Sequence, residues 1–205
     1  MTVRTTYLTT RYVIDRLFAA VMLVVLSPVM VAIVIALMRS QGRPILFRQQ
    51  RVGRHGEIFT ILKFRTMIEG AEEIGGGYLV DDQQLVTPMG EWLRKTSLDE
   101  LPQLINILRG DMAIIGPRPS VIDQYERYSE FQRRRLEVLP GVTGLAQVTY
   151  RVDAPWSKRI ELDVEYIERV SPVLDATIAI RTVARILSGA DSRWDQPRDE
   201  VDDLG

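Results

Sequence analysis

Residues 19–38 read AAVMLVVLSPVMVAIVIALM, and every position is apolar except Ser27 and Pro28. As a helix rising about 1.5 Å per residue, this run is about as long as a hydrocarbon core is thick. It is too long for the apolar part of a secretory signal, and no small-x-small cleavage pattern follows it. A buried core helix is the competing reading. Two features speak against a straight crossing. Proline in the middle removes a helical hydrogen bond and bends the chain. Both flanks are also basic: Arg4, Arg11 and Arg16 precede the run, and Arg39, Arg43, Arg48, Arg51 and Arg54 follow it. The positive-inside rule places both ends on the cytoplasmic side. A helix that enters, breaks at Ser27-Pro28 and returns satisfies both features, with the Ser27 hydroxyl as a partner for a carbonyl that the proline frees. A kinked spanning helix is equally compatible with residue physics alone.

The chain around this run has 205 residues, 46% of them hydrophobic, which is enough for one core plus an appendage. With 26 basic and 27 acidic residues the net charge is -1, so the balance gives no argument for nucleic-acid binding. Cysteine is absent and His55 is the one histidine. Thiol chemistry is therefore excluded, and a single histidine argues against a histidine triad and against a multi-imidazole zinc site. Carboxylates, arginine, lysine, hydroxyls and a hard metal remain as means of catalysis.

Beyond the apolar run, residues 45–52 and 57–67 are β-rich around Gly53-Arg54-His55-Gly56 and predict a hairpin. Alternation places Lys63 and Arg65 on one face of its second strand. Residues 70–88, with Gly75-Gly76-Gly77, predict a mobile loop. Short helices are expected over 91–95 and 101–108, the latter ending at Gly110. A turn is expected over 114–119, a long amphipathic helix over 121–139, a tight loop over 140–144 and a short strand over 146–150. Two more helices are expected over 156–170 and 172–187. The apolar side of the last, with Arg181 and Arg185 beside it, suits either a membrane interface or the core.

Asp99-Glu100 is the first candidate for chemistry. Ser97-Leu98-Asp99-Glu100 also matches a capping box, in which such acids only favour the helix dipole. Pro102 fits a helical first turn only if the cap is Asp99 or Glu100 rather than Ser97. Lys63, Arg65, Arg94 and Arg118 form the second candidate. Each alone reads as solvated surface, whereas together they suit a site that holds phosphates. Arg118 stands between Pro117 and Pro119, and its guanidinium can grip phosphate oxygens in pairs. A helix start near Asp99 would add unpaired N–H groups. The triple glycine lacks the strand-glycine-helix context of a P-loop.

Several strings resemble the bacterial sugar transferase family, the monotopic phosphoglycosyl transferases that act on polyprenyl phosphate. They are Lys63-Phe64-Arg65-Thr66-Met67, Thr96-Ser97-Leu98-Asp99-Glu100-Leu101-Pro102-Gln103-Leu104, Gly110-Asp111-Met112 with Ile115-Gly116-Pro117-Arg118-Pro119, and Pro140-Gly141-Val142-Thr143-Gly144-Leu145-Ala146-Gln147-Val148. Glu161-Leu162-Asp163, Tyr166-Ile167 and Leu174-Asp175 fit as well. The likeness runs in order from about Tyr12 to Leu187 and has the form of the small family members. Leu145 departs from it, since many relatives carry tryptophan there. The acidic tail has no counterpart.

The resemblance implies an α+β, mostly helical, monotopic membrane protein. It would comprise a re-entrant helix over 1–40 broken at Ser27 and Pro28, a catalytic domain over 41–189 with a small β-hairpin and amphipathic interfacial helices, and an acidic tail over 190–205. It further implies that Asp99 is the nucleophile and Mg²⁺ ligand, with Glu100 as neighbouring acid/base. Glu100 would take a proton from the carrier phosphate if nearby negative charge raised its pKa. Lys63, Arg65, Arg94, Arg118, Gln147 and Asp163 would bind substrate. The expected reaction moves a sugar 1-phosphate from a UDP-sugar to undecaprenyl phosphate and releases UMP. It would take place at the cytoplasmic face of the bacterial inner membrane, in contact with membrane lipid and without nucleic acid. A homodimer stays open. A non-catalytic membrane scaffold and a true glycosyltransferase releasing UDP are the rival expectations. Neither the sugar nor the glycan pathway can be read from the residues.

Overall fold

The chain bends where Pro28 lacks an amide for the carbonyl of Val24. In the computed structural model, which describes residues 3–71, 85–150, 154–188 and 203–204, helix α1 (Val3–Val25) and helix α2 (Ser27–Ser40) meet at Leu26 with a bend of 62°. The Ser27 hydroxyl donates to the orphaned Val24 carbonyl at 2.7 Å, which is the exchange that the sequence suggested. Among the described residues no single helix is long and apolar enough to cross a membrane, although the bent pair qualifies by composition when taken together. Leu17, Val21, Val24, Val25, Val31 and Ile35 are exposed, so the outside of the bend is an uncovered apolar surface.

The inner side of the pair is packed on the rest of the fold. Ile33 and Leu37 of α2 are buried with Phe64 and Leu93, and Leu98 and Leu101 lie against this cluster. Each such aliphatic side chain contributes roughly 1.5–3 kcal/mol on burial. Polar groups on α1 also turn inward. Arg11 donates to the Ile115 carbonyl at 2.9 Å and to Asp175 at 2.8 Å, and Asp15 accepts the Ile114 N–H at 3.1 Å.

Strands β1 (Leu46–Val52) and β2 (Ile58–Phe64) form the expected antiparallel hairpin, in register from Leu46↔Phe64 to Val52↔Ile58. Helix α3 (Pro88–Lys95) starts with Thr87 as its cap. After a 3-10 turn (Leu98–Glu100), helix α4 (Gln103–Arg109) ends at Gly110, whose left-handed φ of 90° suits glycine. Strand β3 (Ala113–Ile115) pairs in parallel with β4 (Gly141–Thr143). Helices α5 (Ile122–Glu126), α6 (Glu130–Arg133), α7 (Leu145–Thr149), α8 (Trp156–Arg169) and α9 (Pro172–Ser188) follow, with further 3-10 turns at Arg54–Gly56 and Arg134–Glu137. The result is an α+β, mostly helical chain.

Four expectations need correction. Residues 140–144 are not only a loop, because 141–143 pair with β3; a Cβ on Gly141 would sit 2.1 Å from the Gly116 nitrogen, so the two backbones meet too closely for any side chain. Residues 146–150 are helical, since Val148 N–H bonds Gly144 O at 3.0 Å and closes a turn. The helix expected over 121–139 is broken, because Ser129 and Gln132 form a capping box and restart it. Ser97 is no cap at all: it is left-handed, with φ 55°, and its side chain makes no capping bond. The loop containing Gly75-Gly76-Gly77, and all of the acidic tail except 203–204, lie outside the described residues.

Candidate active site

The hairpin and the 3-10 turn bring the sequence candidates together. Lys63, Arg65, Arg94, Asp99, Glu100 and Arg118 line one cavity of about 720 Å³. Lys63 stands near the end of β2 and donates to Glu100 Oε1 at 2.5 Å. An Arg118 guanidinium nitrogen lies 4.0 Å from the same oxygen. Arg94 on α3 reaches the Thr66 hydroxyl at 3.0 Å. Arg65 borders the cavity, but its guanidinium is engaged with the Gln41 and Gly42 carbonyls at 2.6 and 3.2 Å. It ties the end of α2 to the hairpin.

The two carboxylates differ. Burial pushes the Asp99 carboxyl above the ordinary carboxylate range; Glu100 adds to this, while Lys63, Arg94 and Arg118 oppose it. Asp99 is only 8% exposed, and no described residue donates a hydrogen bond to its carboxylate. Burial would raise Glu100 too, but Lys63 and Arg118 outweigh it and hold Glu100 below its usual range, with the Gln103 amide alongside. The sequence argument allowed for a raised Glu100. The raised group here is Asp99. The pair therefore holds one ion-paired anchor, held low by its cations, and one buried carboxylate with higher basicity. Such a carboxylate, ringed by cations and facing a cavity, can attack a phosphorus or bind a hard metal.

Gln147 and Asp163 do not line the cavity. Gln147 lies on α7, where its backbone carbonyl accepts from Arg185. Asp163 on α8 is buried against Arg135 at 2.5 Å. Arg135 also donates to the Ser120 hydroxyl at 2.7 Å, to the Tyr128 hydroxyl, and to the Arg118 backbone carbonyl at 2.8 Å. Asp163 thus reaches the site only through Arg135, which holds the backbone of Arg118.

Arg51 and Gln49 also line the cavity and were missed as site residues. The hairpin register carries the signal that would have found them, because Phe47 pairs with Lys63 and alternation then puts Gln49 and Arg51 on the Lys63 face. Arg51 takes the Pro119 carbonyl at 3.3 Å, so Arg135 and Arg51 grip consecutive carbonyls of the Arg118-Pro119 backbone. Gln103 is a third missed residue, and nothing in its sequence position sets it apart.

Comparison with known proteins agrees with the strings quoted above. Residues 6–189 match the family described as bacterial sugar transferase. The uncharacterized sugar transferase EpsL of Bacillus subtilis is 43% identical over 179 residues, covering 85% of this chain and 88% of that protein. An Aeromonas hydrophila protein named UDP-N-acetylgalactosamine-undecaprenyl-phosphate N-acetylgalactosaminephosphotransferase is 38% identical over 185 residues, 87% of this chain and 44% of its own length. The UDP-glucose:undecaprenyl-phosphate glucose-1-phosphate transferase of Escherichia coli is 38% identical over 177 residues, 82% of this chain and 38% of that protein. The chain thus spans most of the Bacillus relative and less than half of the other two. On both the family match and the identity of these relatives, the chain belongs to the bacterial sugar transferase family.

Proposed function

We propose that this chain transfers a sugar 1-phosphate from a UDP-sugar to undecaprenyl phosphate through a covalent intermediate on Asp99. The observation that carries this reading is the division of labour in the dyad: Glu100 is bound to Lys63, while Asp99 is buried, unengaged and raised in pKa. In the first step an Asp99 oxygen attacks the β-phosphorus, and the bond from that phosphorus to the bridging oxygen breaks. UMP leaves with the electron pair, and an acyl phosphate carrying the sugar remains. In the second step an oxygen of undecaprenyl phosphate attacks the same phosphorus and returns the Asp99 carboxylate. A phosphate monoester has a second pKa of about 6 and is mostly dianionic at neutral pH, so this attack needs little help from a base. Glu100 then serves chiefly to hold Lys63 and Arg118 beside Asp99, where they bind the phosphates.

Mg²⁺ fits this site as a partner of the substrate. Among the described residues no cluster of three or more acidic or histidine ligands exists, which argues against a dedicated protein cage. One or two carboxylates plus phosphate oxygens suit Mg²⁺, and Asp99 is the carboxylate available. When bound, the ion would offset the charge of the transferring phosphate. Chelation by EDTA should abolish turnover, and Mg²⁺ should restore it.

As a re-entrant hairpin, the bent pair α1–α2 would hold this chemistry at a membrane. Its uncovered apolar bend and its basic flanks support insertion from the cytoplasmic side, where a nucleotide sugar is available. The exposed Val173, Ile180, Val183 and Leu187 on α9 suit the interface. Cysteines at Thr5 and Gln41 should both react only from the cytoplasm. For the activity itself, the full chain is incubated with UDP-sugars and undecaprenyl phosphate. UMP is the expected product; UDP would mark a glycosyltransferase, and no nucleotide release would mark a scaffold.

A further inference from the structure

The family match ends at residue 189, yet two residues well beyond it lie on the catalytic fold. Leu204 is 4% exposed and belongs to a buried cluster with Tyr128, Ile160 and Val164, flanked by Tyr125 and Trp156. Its carbonyl accepts from Arg127 at 3.0 Å. Asp203 Oδ1 accepts the Ser157 N–H at 2.9 Å, and its second oxygen accepts the Ser157 hydroxyl. Ser157 is the second residue of α8, so its N–H has no acceptor within the helix. The flanking Pro155 supplies no side-chain cap. Asp203 therefore caps α8 from 46 positions away, and its negative charge suits that end of the helix dipole.

We propose that Asp203-Leu204 is a docking motif, and that α8 with Tyr125 and Tyr128 forms its socket. The acid recognises the helix start and the leucine fills an apolar hole beside it. The occupant is this chain's own segment, which latches the acidic tail to the catalytic fold. The socket adjoins the support of the active site: Tyr128, against which Leu204 packs, shares its hydroxyl with Ser120 and Arg135, and Arg135 holds the Arg118 carbonyl.

Hydrogen exchange at the Ser157 amide tests this in the full-length chain. Asp203→Ala removes the acceptor that the described residues give this amide and should speed its exchange by about tenfold or more. Asp203→Asn keeps an acceptor and should stay close to wild type. Leu204→Asp should match Asp203→Ala, because the leucine is what seats the acid. Excess synthetic peptide of residues 198–205, RDEVDDLG, should then slow exchange in the Leu204→Asp chain again. Unchanged Ser157 exchange in Asp203→Ala and Leu204→Asp would overturn the latch. Failure of the peptide to protect the Leu204→Asp chain would overturn the socket as a recognition site.

Discussion

The Asp99 cavity and the Arg135 cluster share one short segment, residues 118–120, and they hold charge in different ways. In the cluster, Arg135 and Asp163 are both almost fully buried and paired at 2.5 Å, and Arg135 also satisfies Ser120, Tyr128 and the Arg118 carbonyl. In the cavity, Lys63, Arg94 and Arg118 surround a carboxylate that none of them binds directly. The difference separates scaffold from chemistry. A directly bonded ion pair fixes the backbone, whereas Asp99, attracted by nearby cations but not hydrogen-bonded by a described residue, remains available to a phosphate that arrives from outside.

Neutralising one carboxylate on each side breaks the comparison most strongly. Asp99→Asn should cut UMP formation by at least about 1000-fold, because an amide forms no productive acyl phosphate. The fold should persist and even gain stability. Since the folded Asp99 pKa is raised, the carboxyl favours the folded state only while protonated, and that contribution is lost as pH rises through the folded value. The asparagine variant escapes this loss, so it should exceed wild type by roughly 1–3 kcal/mol at pH 8, with the gap closing toward pH 4. Urea titrations at the two pH values would measure it. Burial raises the Asp163 carboxyl as well, against the pull of Arg135, but there the loss of the partner dominates: Asp163→Asn strands the buried Arg135 and should cost about 3–5 kcal/mol of stability.

Arg118→Lys probes the segment that the two share. It keeps the charge and leaves the backbone carbonyl for Arg135, but loses the planar fork. Turnover should fall about 10- to 100-fold with little change in thermal midpoint. Equal loss of stability and activity would mean that the side chain supports the fold instead.

The smallest effect concerns pH. Asp99 must be ionised to attack, so kcat/KM should fall as pH drops through a value above the ordinary carboxylate pKa of about 4. Glu100→Gln removes a neighbour that raises Asp99 and releases Lys63 toward it. The acid limb should therefore shift to lower pH, while the plateau rate drops.

The sequence exposed most of the cavity but not what stands behind it. Lys63, Asp99, Glu100 and Arg118 were legible because an acid pair, a proline-framed arginine and a strand alternation each carry a local signal. The Ser27-Pro28 break was legible for the same reason. The place of Asp163 behind the cavity was not legible because its partner Arg135 lies 28 positions away, and nothing local announces a buried ion pair. Gly141 and Val142 read as a loop because short parallel pairing with 113–115 leaves no trace in a glycine-rich stretch. The break in the helix over 121–139 does carry a local signal, the Ser129-x-x-Gln132 capping box, which the continuous amphipathic pattern masked.

Covalent attack by Asp99 is the claim on which the account of the cavity depends, and one measurement addresses it directly. The full chain, in membrane nanodiscs with Mg²⁺, is mixed with UDP-sugar in the absence of undecaprenyl phosphate, quenched in acid and digested. The account predicts UMP release limited to about one equivalent per chain, and a sugar phosphate on the peptide containing Asp99 that is absent in Asp99→Asn. No adduct, together with UMP release that begins only when undecaprenyl phosphate is added, would contradict it and make the transfer direct, within a ternary complex.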